Sequence, residues 1–312
     1  MRGALLAGWT LVAPVACAAE PPITALAFTP DGKSVLVGSQ AGVQVRTWPD
    51  LKPLRLLGTE VANVHDLAFS PDGKTLAIAG GSPAEKGTVE LLRWPEGTLL
   101  YRARPHKDVI YAVAWSADSA TIVTASADQT VRKVDARTGK QTGLFEGHSR
   151  GVLTAVFLPG DKQFVTAGGD ESLRVWDAES GKVERILPNH TKSVTGLAVR
   201  PGGDTSAPPT LASISDDRTV RLWQPTVGRM VRFARVPSEP RAVAWTTDGA
   251  SILVACKDGG LRVIDPESVE VRRTIPAIEG VAYALAVAPD GSVVIGGRDG
   301  RLKRVELASG KR

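Results

Sequence analysis

The chain has 312 residues, a length that would accommodate two domains, and a formal charge of +5 at pH 7. A basic balance of this kind attracts nucleic acids and anionic surfaces, so the placement of the cations decides whether such a partner is expected. Of the two cysteines, Cys17 belongs to a predicted leader and Cys256 is left, so no intramolecular disulfide is expected in the mature chain.

The first residues have the features of a secretory signal peptide. Met1-Arg2 supplies a short positive start, residues 3–16 are apolar, and Ala16-Cys17-Ala18 fits a small-x-small cleavage signal. The apolar run is too short to span a membrane and Pro14 interrupts it, which disfavours an uncleaved anchor. We therefore predict a leader over residues 1–18, export to the periplasm or cell envelope, and a mature domain over residues 19–312.

Cys17 leaves a second processing route open. A small residue precedes it, as lipidation requires, whereas Pro14 stands where a lipoprotein signal usually has Leu. Membrane attachment is expected only if Cys17 is lipidated. Cys256 lies in a predicted strand with no repeat histidine facing it, so a buried and unreactive thiol is expected there.

Seven repeats of about 42 residues occupy the rest of the chain, and two markers count them independently. The first marker ends an apolar run, at Phe28, Phe69, Trp115, Phe157, Val199, Trp245 and Val287. The second closes the last apolar run of each unit, at Trp48, Trp94, Val134, Trp176, Trp223, Ile264 and Val305. Units that each contact only their neighbours form one continuous body, so a single domain is predicted.

Each unit is predicted to consist of short β-strands. Val, Leu, Ile and Thr dominate runs of five or six residues that are bounded by Gly, Asp and Pro. A tight turn follows the first marker, as in Ser70-Pro71-Asp72-Gly73, where Pro presets φ and Gly accepts a positive φ. No segment between the turns is long enough for a good helix, so the chain is predicted to be all-β.

Repeat length, turn chemistry and closing pattern resemble the WD40-repeat family, whose units carry Gly-His near the start and Trp-Asp near the end. The signature is complete at Gly147-His148 and Trp176-Asp177 and partial at Asn189-His190 and Trp223-Gln224. The resemblance extends from about Ile23 to Glu306. It implies a seven-bladed β-propeller, with each blade set radially around a central channel.

The resemblance also implies a buried hydrogen-bonded chain within a blade, formed by the His, a Ser or Thr on the second strand, the turn Asp and the Trp. The matching positions are His190, Ser215, Asp217 and Trp223 in unit 5, His148, Asp170 and Trp176 in unit 4, and His106, Ser126 and Asp128 in unit 3. Unit 4 has Gly168 in the Ser position and unit 3 has Val134 in place of Trp. Units 1 and 2 have Gly42 and Thr88 where the Asp belongs, so the network should be strongest in units 3 to 5.

Ser, His and Asp are also the components of an acyl-transfer triad. A trio that recurs at a fixed register is expected to be structural, because an active site occurs once. The chain has no Gly-rich phosphate loop, no His-Glu-x-x-His and no Cys-x-x-Cys. We therefore predict no catalytic residue, no metal site and no cofactor.

The cations are spread evenly over the repeats. Four residues after the turn position stand Arg46, Arg132, Arg174, Arg221, Arg262 and Lys303, with Leu92 in unit 2. One cation per blade makes no continuous stripe along which a phosphate backbone would bind. Nucleic acid is therefore not an expected partner.

One position varies in type while its neighbours stay small and apolar. Four residues before each first marker, where the innermost strand should begin at the channel mouth, stand Thr24, His65, Tyr111, Leu153, Thr195, Arg241 and Tyr283. The variation fits a tolerant, solvent-facing strand end. It fits a partner-recognition ring equally well, because Tyr, His and Arg are typical of binding surfaces. His65 is also the one histidine outside the repeat register.

Two units are longer than the others. The extra residues fall at Gly80 to Gly87, between the second and third strands of unit 2, and at Gly202 to Pro209, between the first and second strands of unit 5. These loops should emerge on opposite faces of the propeller. Blade 7 either has three strands and an exposed edge or takes its fourth strand from uncleaved residues Val12 to Ala18.

These features favour a non-enzymatic, exported propeller that acts as a rigid platform for a protein or peptide partner. A propeller hydrolase of the lactonase type is the alternative from another class. It would need several carboxylates or imidazoles at the channel mouth, where the ring supplies His65, with Asp66 beside it. A lipid-tethered component of an envelope assembly differs only in the fate of Cys17.

Overall fold

A computed structural model describes residues 20–202 and 207–307, which form seven antiparallel sheets in sequence order. Blade 1 contains β1 (Ile23–Phe28), β2 (Ser34–Ser39), β3 (Gly42–Thr47) and β4 (Pro53–Leu57). Blade 2 contains β5 (Val64–Phe69), β6 (Thr75–Gly80), β7 (Thr88–Arg93) and β8 (Thr98–Ala103). Blade 3 contains β9 (Ile110–Trp115), β10 (Thr121–Ser126), β11 (Val131–Asp135) and β12 (Gln141–Phe145).

The remaining blades follow the same order. Blade 4 contains β13 (Val152–Phe157), β14 (Gln163–Gly168), β15 (Leu173–Asp177) and β16 (Val183–Leu187). Blade 5 contains β17 (Val194–Val199), β18 (Leu211–Ser215), β19 (Thr219–Gln224) and β20 (Arg229–Arg235). Blade 6 contains β21 (Pro240–Trp245), β22 (Ile252–Cys256), β23 (Gly260–Ile264) and β24 (Val271–Pro276). Blade 7 contains β25 (Ala282–Val287), β26 (Val293–Gly297) and β27 (Leu302–Val305).

The first strands of the blades form a closed ring. Each of them contacts the first strand of the next blade, and β25 returns to contact β1. The predicted seven-bladed all-β propeller is therefore confirmed. The helical content of the described residues is a single 3-10 turn, Pro225–Val227, and no helix there is long and apolar enough to cross a membrane.

Apolar side chains are buried mainly between neighbouring blades. The seam between blades 1 and 2 buries Leu36, Val45, Val64 and Leu76 among others, and the next five seams have clusters of similar size. The seam between blades 7 and 1 is much smaller, with Ile23, Val37 and Ala284 as its buried residues. Burial drives association of the blades, so this last seam is the weakest of the ring.

The open edge of blade 7 accounts for that weak seam. In blades 1 to 6 the residue near the start of the third strand faces an apolar residue of the fourth strand, as Val131 faces Phe145. Those six third-strand residues, Val43, Val89, Val131, Leu173, Val220 and Leu261, are at most 1% exposed. Leu302 holds this position in β27 and is only partly buried, because no described strand covers it. Residues Val12 to Ala18 lie outside the described residues.

The strand pairing corrects the repeat register in blades 1 and 2. The irregular pairing between third and fourth strands occurs at Val134, Trp176 and Trp223, and in blades 1 and 2 it occurs at Arg46 and Leu92. Trp48 and Trp94 therefore lie two residues beyond the position they were predicted to mark. They pack edge-on against Phe28 and Phe69, whereas Trp176 and Trp223 are fully buried within their blades.

The same two-residue shift moves the other repeat positions of these blades. Gln40 and Lys86, not Gly42 and Thr88, correspond to the turn Asp of blade 3. Gln44 and Glu90, not Arg46 and Leu92, correspond to Arg132. The sequence pattern was wrong here because a Trp in each unit offered a false match to the closing position.

Candidate binding site at the channel mouth

The repeat histidines belong to buried networks in blades 3, 4 and 5. In blade 5, His190 contacts the Asp217 carboxylate through Nδ1 at 2.8 Å and the Ser213 hydroxyl through Nε2 at 2.7 Å. Trp223 donates its indole N–H to the same hydroxyl at 2.8 Å. Every polar atom of this chain thus has a partner away from water, as a buried network requires.

The bridging hydroxyl lies four residues before the Asp, not two as the sequence pattern predicted. Thr166 fills this position in blade 4, between His148 and Trp176, and Thr124 fills it in blade 3, beside His106. Blade 4 is therefore complete despite Gly168. Blade 3 has the contact between His106 and Asp128 at 3.0 Å and lacks only the Trp.

Ser215 and Ser126 have a different role from the one predicted. Ser215 donates to the Lys192 carbonyl and accepts the backbone N–H of Asp217, and Ser126 makes the equivalent bonds with Asp108 and Asp128. Successive side chains of a strand point to opposite faces, but residues two apart share a face. The side chains of Ser213 and Ser215 therefore point the same way, and only Ser213, the one farther from the turn, reaches the Trp.

The turn carboxylates are held ionised by these contacts. Burial alone would raise the pKa of Asp217, but hydrogen bonds from Thr219 and His190 outweigh it and lower the pKa to about 2. The pKa values of Asp128 and Asp170 are lowered against the same effect of burial, chiefly by His106 and His148. These residues serve the stability of the blades, and they do not converge on one site.

The cations near the turns are also structural. Arg174, Arg221 and Arg262 each pair with the Asp four residues earlier, and their side chains are 14%, 13% and 5% exposed. These three arginines are therefore largely buried ion-pair partners within their blades. Cys256 is fully buried, and burial raises the pKa of its thiol to about 11, which keeps it protonated.

Each residue of the predicted ring is the extra residue of a β-bulge. In β1 the pairing with β2 passes from Ile23 to Ala25, so that Thr24 has no partner across the strand. The same step skips one residue at the head of every other first strand. The skipped residues are His65, Tyr111, Leu153, Thr195, Arg241 and Tyr283. A bulge turns a side chain away from the sheet, so these seven are re-aimed toward the channel mouth.

The structure brings all seven ring residues together. Thr24, His65, Tyr111, Leu153, Thr195, Arg241 and Tyr283, with Pro22, line one cavity of about 480 Å³. Two independent observations, the bulge and the shared cavity, thus place them on a single concave surface. Such a surface is a typical site for ligand or partner contacts.

The ring residues differ in how far they are already engaged. Thr24 donates its hydroxyl to the Val64 and Gly38 carbonyls, which ties blade 1 to blade 2. Arg241 pairs with Asp216 at 3.1 Å and with Glu239 at 2.9 Å. His65 and Tyr111 make an edge-to-face contact with ring centroids 5.2 Å apart, and Tyr283 is 37% exposed. The aromatic side chains are therefore the ones presented for outside contacts.

A smaller cavity of about 290 Å³ opens beside the first and shares His65 and Tyr111 with it. Pro83, from the insertion in blade 2, forms part of its wall. The predicted insertion at Gly80 to Gly87 and the predicted ring therefore meet at one surface. Sequence patterns do not indicate that the insertion and the ring meet, because the contact depends on how the loop folds back over blade 3.

The second insertion lies elsewhere. Its described residues, Gly202 and Ala207 to Pro209, line a separate cavity with Pro159 and Asp248. These residues lie at the opposite ends of the first strands from the ring, as predicted for loops that leave opposite faces. The described residues of this loop therefore do not line the cavity at the channel mouth.

Asp66 is a site residue whose environment the sequence did not reveal. Its equivalents in four other blades are Ala25, Ala112, Ala242 and Ala284, which face the neighbouring blade. The Asp66 carboxylate instead accepts the backbone N–H groups of Leu67 and Val113, both at 2.9 Å. It therefore joins blade 2 to blade 3 directly beside the ring. Burial raises the pKa of Asp66 to about 6, against the effect of the two N–H donors.

His65 does not form a catalytic pair with Asp66. Both carboxylate oxygens of Asp66 are directed at backbone N–H groups, and burial lowers the pKa of His65, which favours its neutral form. Over residues 20–202 and 207–307, no three His, Cys, Asp or Glu side chains are grouped closely enough to hold a metal ion. The ring itself presents apolar, aromatic and hydrogen-bonding side chains together with the paired charge of Arg241.

The middle of the chain matches a known family of repeats. Three segments, residues 97–135, 139–177 and 181–224, match the family model described as WD40: WD domain, G-beta repeat. Each segment begins just before the fourth strand of one blade and ends with the third strand of the next, so the sequence repeat straddles two blades.

Curated relatives show the same relationship over longer regions. The chain is 28% identical to telomerase protein component 1 of Mus musculus over 241 residues, which are 74% of this chain. It is 25% identical to telomerase protein component 1 of Rattus norvegicus over 305 residues, which are 90% of this chain. It is 34% identical over 146 residues, 46% of its length, to the uncharacterized WD repeat-containing protein sll1491 of Synechocystis. The aligned regions amount to 9%, 11% and 40% of these three relatives, so the chain spans well under half of each.

The buried network makes a prediction that separates Ser213 from Ser215. Ser213→Ala should destabilise the protein by about 2–4 kcal/mol, because the Trp223 N–H and His190 Nε2 lose their shared partner inside the blade. Asp217→Ala should cost a similar amount for the same reason. The free energy of unfolding in urea measures these effects.

Two variants control for this prediction. Ser215→Ala removes a hydroxyl that is equally buried and should cost about 1 kcal/mol. Ser213→Thr should cost less than about 1 kcal/mol, because blades 3 and 4 use Thr at the same position. Equal losses for Ser213→Ala and Ser215→Ala would contradict the assignment.

Asp66 predicts a pH dependence of stability. Its pKa is higher in the folded chain, at about 6, than its ordinary value of 3.8, so the folded state binds this proton more tightly than the unfolded state. The contribution of Asp66 to stability is therefore present below about pH 4 and is lost as the pH rises to about 6 and beyond. Asp66→Ala should remove this decline, which urea unfolding at about pH 5 and pH 7.5 would reveal as a smaller difference between the two values. Parallel pH profiles for the two proteins would refute the raised pKa.

Proposed function

The chain belongs to the WD40-repeat family of β-propellers, and from this membership we propose that it is a non-enzymatic scaffold that binds a protein or peptide at the channel mouth. One observation carries the proposal: seven bulged side chains, one from each blade, line a single cavity. A rigid ring of this kind presents side chains from all blades to one partner. The binding energy is expected to come mainly from the aromatic residues Tyr283, which is exposed, and Tyr111, which is partly buried.

The placement of charge supports binding over hydrolysis. The hydrolase alternative requires carboxylates and imidazoles that converge on a substrate, whereas two carboxylates beside the ring, Asp216 and Glu239, are paired with Arg241. Asp66 is bonded to backbone and His65 contacts Tyr111. A surface built this way offers fixed contacts and no obvious nucleophile or general base.

We also propose that the protein is exported, which rests on the leader predicted over residues 1–18, outside the described part of the chain. N-terminal sequencing of the native protein should give Ala19 or Glu20 as the first residue if a signal peptidase acts at the Ala16-Cys17-Ala18 site. A chain that begins at an acylated Cys17 would establish the lipid-tethered alternative instead. An intact N-terminus at Met1 or Arg2 would rule out both routes.

The binding proposal is tested with the partner that the mature protein captures from a native envelope fraction. Tyr283→Ala and Tyr111→Ala should together identify the surface, with at least one of them weakening the captured complex by about 1–3 kcal/mol. Thermal midpoints should stay near the starting value, because both side chains lie at the mouth and outside the interblade core. Isothermal titration with the purified partner gives the affinities.

Phe233→Ala is the matched control. Phe233 is an aromatic residue 42% exposed on β20, at the outer edge of blade 5, so its loss should leave the affinity unchanged. Arg241→Ala is less informative than the sequence suggested, because it also leaves Asp216 and Glu239 unpaired. Normal binding by both Tyr variants would mean that the partner uses another face.

A further inference from the structure

We propose that the smaller cavity beside the channel mouth binds an uncharged, proline-containing segment of the partner in the polyproline II conformation. The cavity lies between the first strands of blades 1 to 3, and its walls include Pro22, His65, Pro83, Val109 and Tyr111. The inference rests on the proposed function, because it assigns a ligand class to part of the same face. It goes further in naming which part of the partner is recognised and where.

The wall chemistry suits proline. His65 and Tyr111 meet edge to face, so their two rings provide flat surfaces at an angle to each other, and Pro22 and Pro83 add apolar wall beside them. Pro-rich segments dock onto aromatic-lined grooves of this type because their helix is already formed and loses little entropy on binding. A volume of about 290 Å³ holds one or two side chains and no folded element.

The site is electrically neutral. Each residue that lines the cavity is uncharged in its ordinary state except His65, whose pKa is lowered by burial so that its neutral form is favoured. The Asp108 carboxylate, next in sequence to the lining residue Val109, accepts the backbone N–H groups of Ala84 and Val109, at 3.1 and 2.7 Å. A charged ligand side chain would lose hydration here without gaining a partner, which disfavours acidic and basic segments.

The hydrogen-bonding groups match the same ligand. A polyproline II helix exposes all its carbonyls and, at proline, has no N–H to donate, so a complementary site needs donors. The rim supplies the Gln40 amide and the Tyr111 hydroxyl, neither of which has a hydrogen-bond partner within the described residues. Asn63 adds a second amide, which makes only weak contacts, both at 3.4 Å, with Gly81 and Ser82.

The cavity is already formed without a ligand. Asp108 of blade 3 accepts the N–H of Ala84 and so fixes the insertion that carries Pro83, while Gly81 donates to the Ala62 carbonyl at 2.7 Å. At the end of the insertion, a Cβ on Gly87 would lie 2.3 Å from the Asp108 carbonyl oxygen, so the close approach requires glycine. A preformed wall removes the cost of ordering a loop on binding.

The test uses four fluorescein-labelled octapeptides and the mature protein. The first has six prolines between terminal glycines, the second has two central prolines replaced by Glu, the third has Lys at those positions, and the fourth is an alternating Gly-Ser sequence. Fluorescence anisotropy should show that the proline peptide binds at least about tenfold more tightly than each of the other three.

Variants locate the binding. Tyr111→Ala should weaken the proline peptide at least about tenfold, and Gln40→Ala, a change at an exposed residue that should not disturb folding, should weaken it about threefold or more. Tyr283→Ala is the matched control, because Tyr283 lines the larger cavity but not the smaller one, and its effect should stay below about twofold.

Each outcome decides the matter. Equal binding of the Gly-Ser peptide, preference for a charged peptide, or full binding by both Tyr111→Ala and Gln40→Ala would overturn the assignment of a proline subsite. If any of these occurs while Tyr283→Ala still weakens the captured partner, the proposed scaffold function remains and only the ligand class is wrong. If every mouth variant binds the partner normally, the partner uses another face, and the proposed binding site at the channel mouth is wrong.

Discussion

The structure depends on the way each first strand satisfies two opposing demands at its head. The strand must pack closely against its neighbours to close the ring, and this requires small residues such as Ala25 and Ala112. It must also accommodate a larger side chain, and the bulge allows this because one residue of the strand has no partner in the ladder. Close packing and variable chemistry are thereby separated onto adjacent residues. The separation explains why Thr, His, Tyr, Leu and Arg are all tolerated at one repeat position.

Stability is distributed unevenly around this ring, and the smaller cavity lies beside the well-packed seams that join blades 1, 2 and 3. Blades 3 to 5 hold the His–Asp networks, two of them closed by a Trp, and the seams beside them bury large apolar clusters. The seam between blades 7 and 1 buries three residues fully, and Leu302 stays partly exposed at the edge. The smaller cavity is built on blades 1 to 3, where Asp66 and Thr24 add hydrogen bonds between blades. These bonds hold its two aromatic residues at a fixed separation.

The sequence predicted the number of blades, the strands and the ring, because each produces a signal that repeats seven times. It was wrong in blades 1 and 2, where Trp48 and Trp94 imitated the closing residue, and it took Ser215 for the bridging hydroxyl that Ser213 provides. Residues two apart on a strand share a face, so the pattern alone does not choose between them. It also did not show that Pro83 meets His65 and Tyr111, since that contact follows from the path of one loop. Features that repeat in every unit can be predicted from the sequence, whereas contacts that occur in one unit only depend on the folded structure.

The two halves of the channel mouth carry different side chains. Blades 1 to 3 contribute neutral side chains and the aromatic pair, whereas blades 5 and 6 contribute Arg241 with its partners Asp216, Glu239 and, through Glu239, Lys257. A partner that places an apolar segment over the first half is therefore positioned to meet paired charges over the second. Because those charges are only partly exposed, reversing the partner would bring apolar groups against them and cost hydration energy. The backbone of the ring repeats in every blade, but the side chains differ between its two halves. A single orientation of the bound partner is therefore favoured.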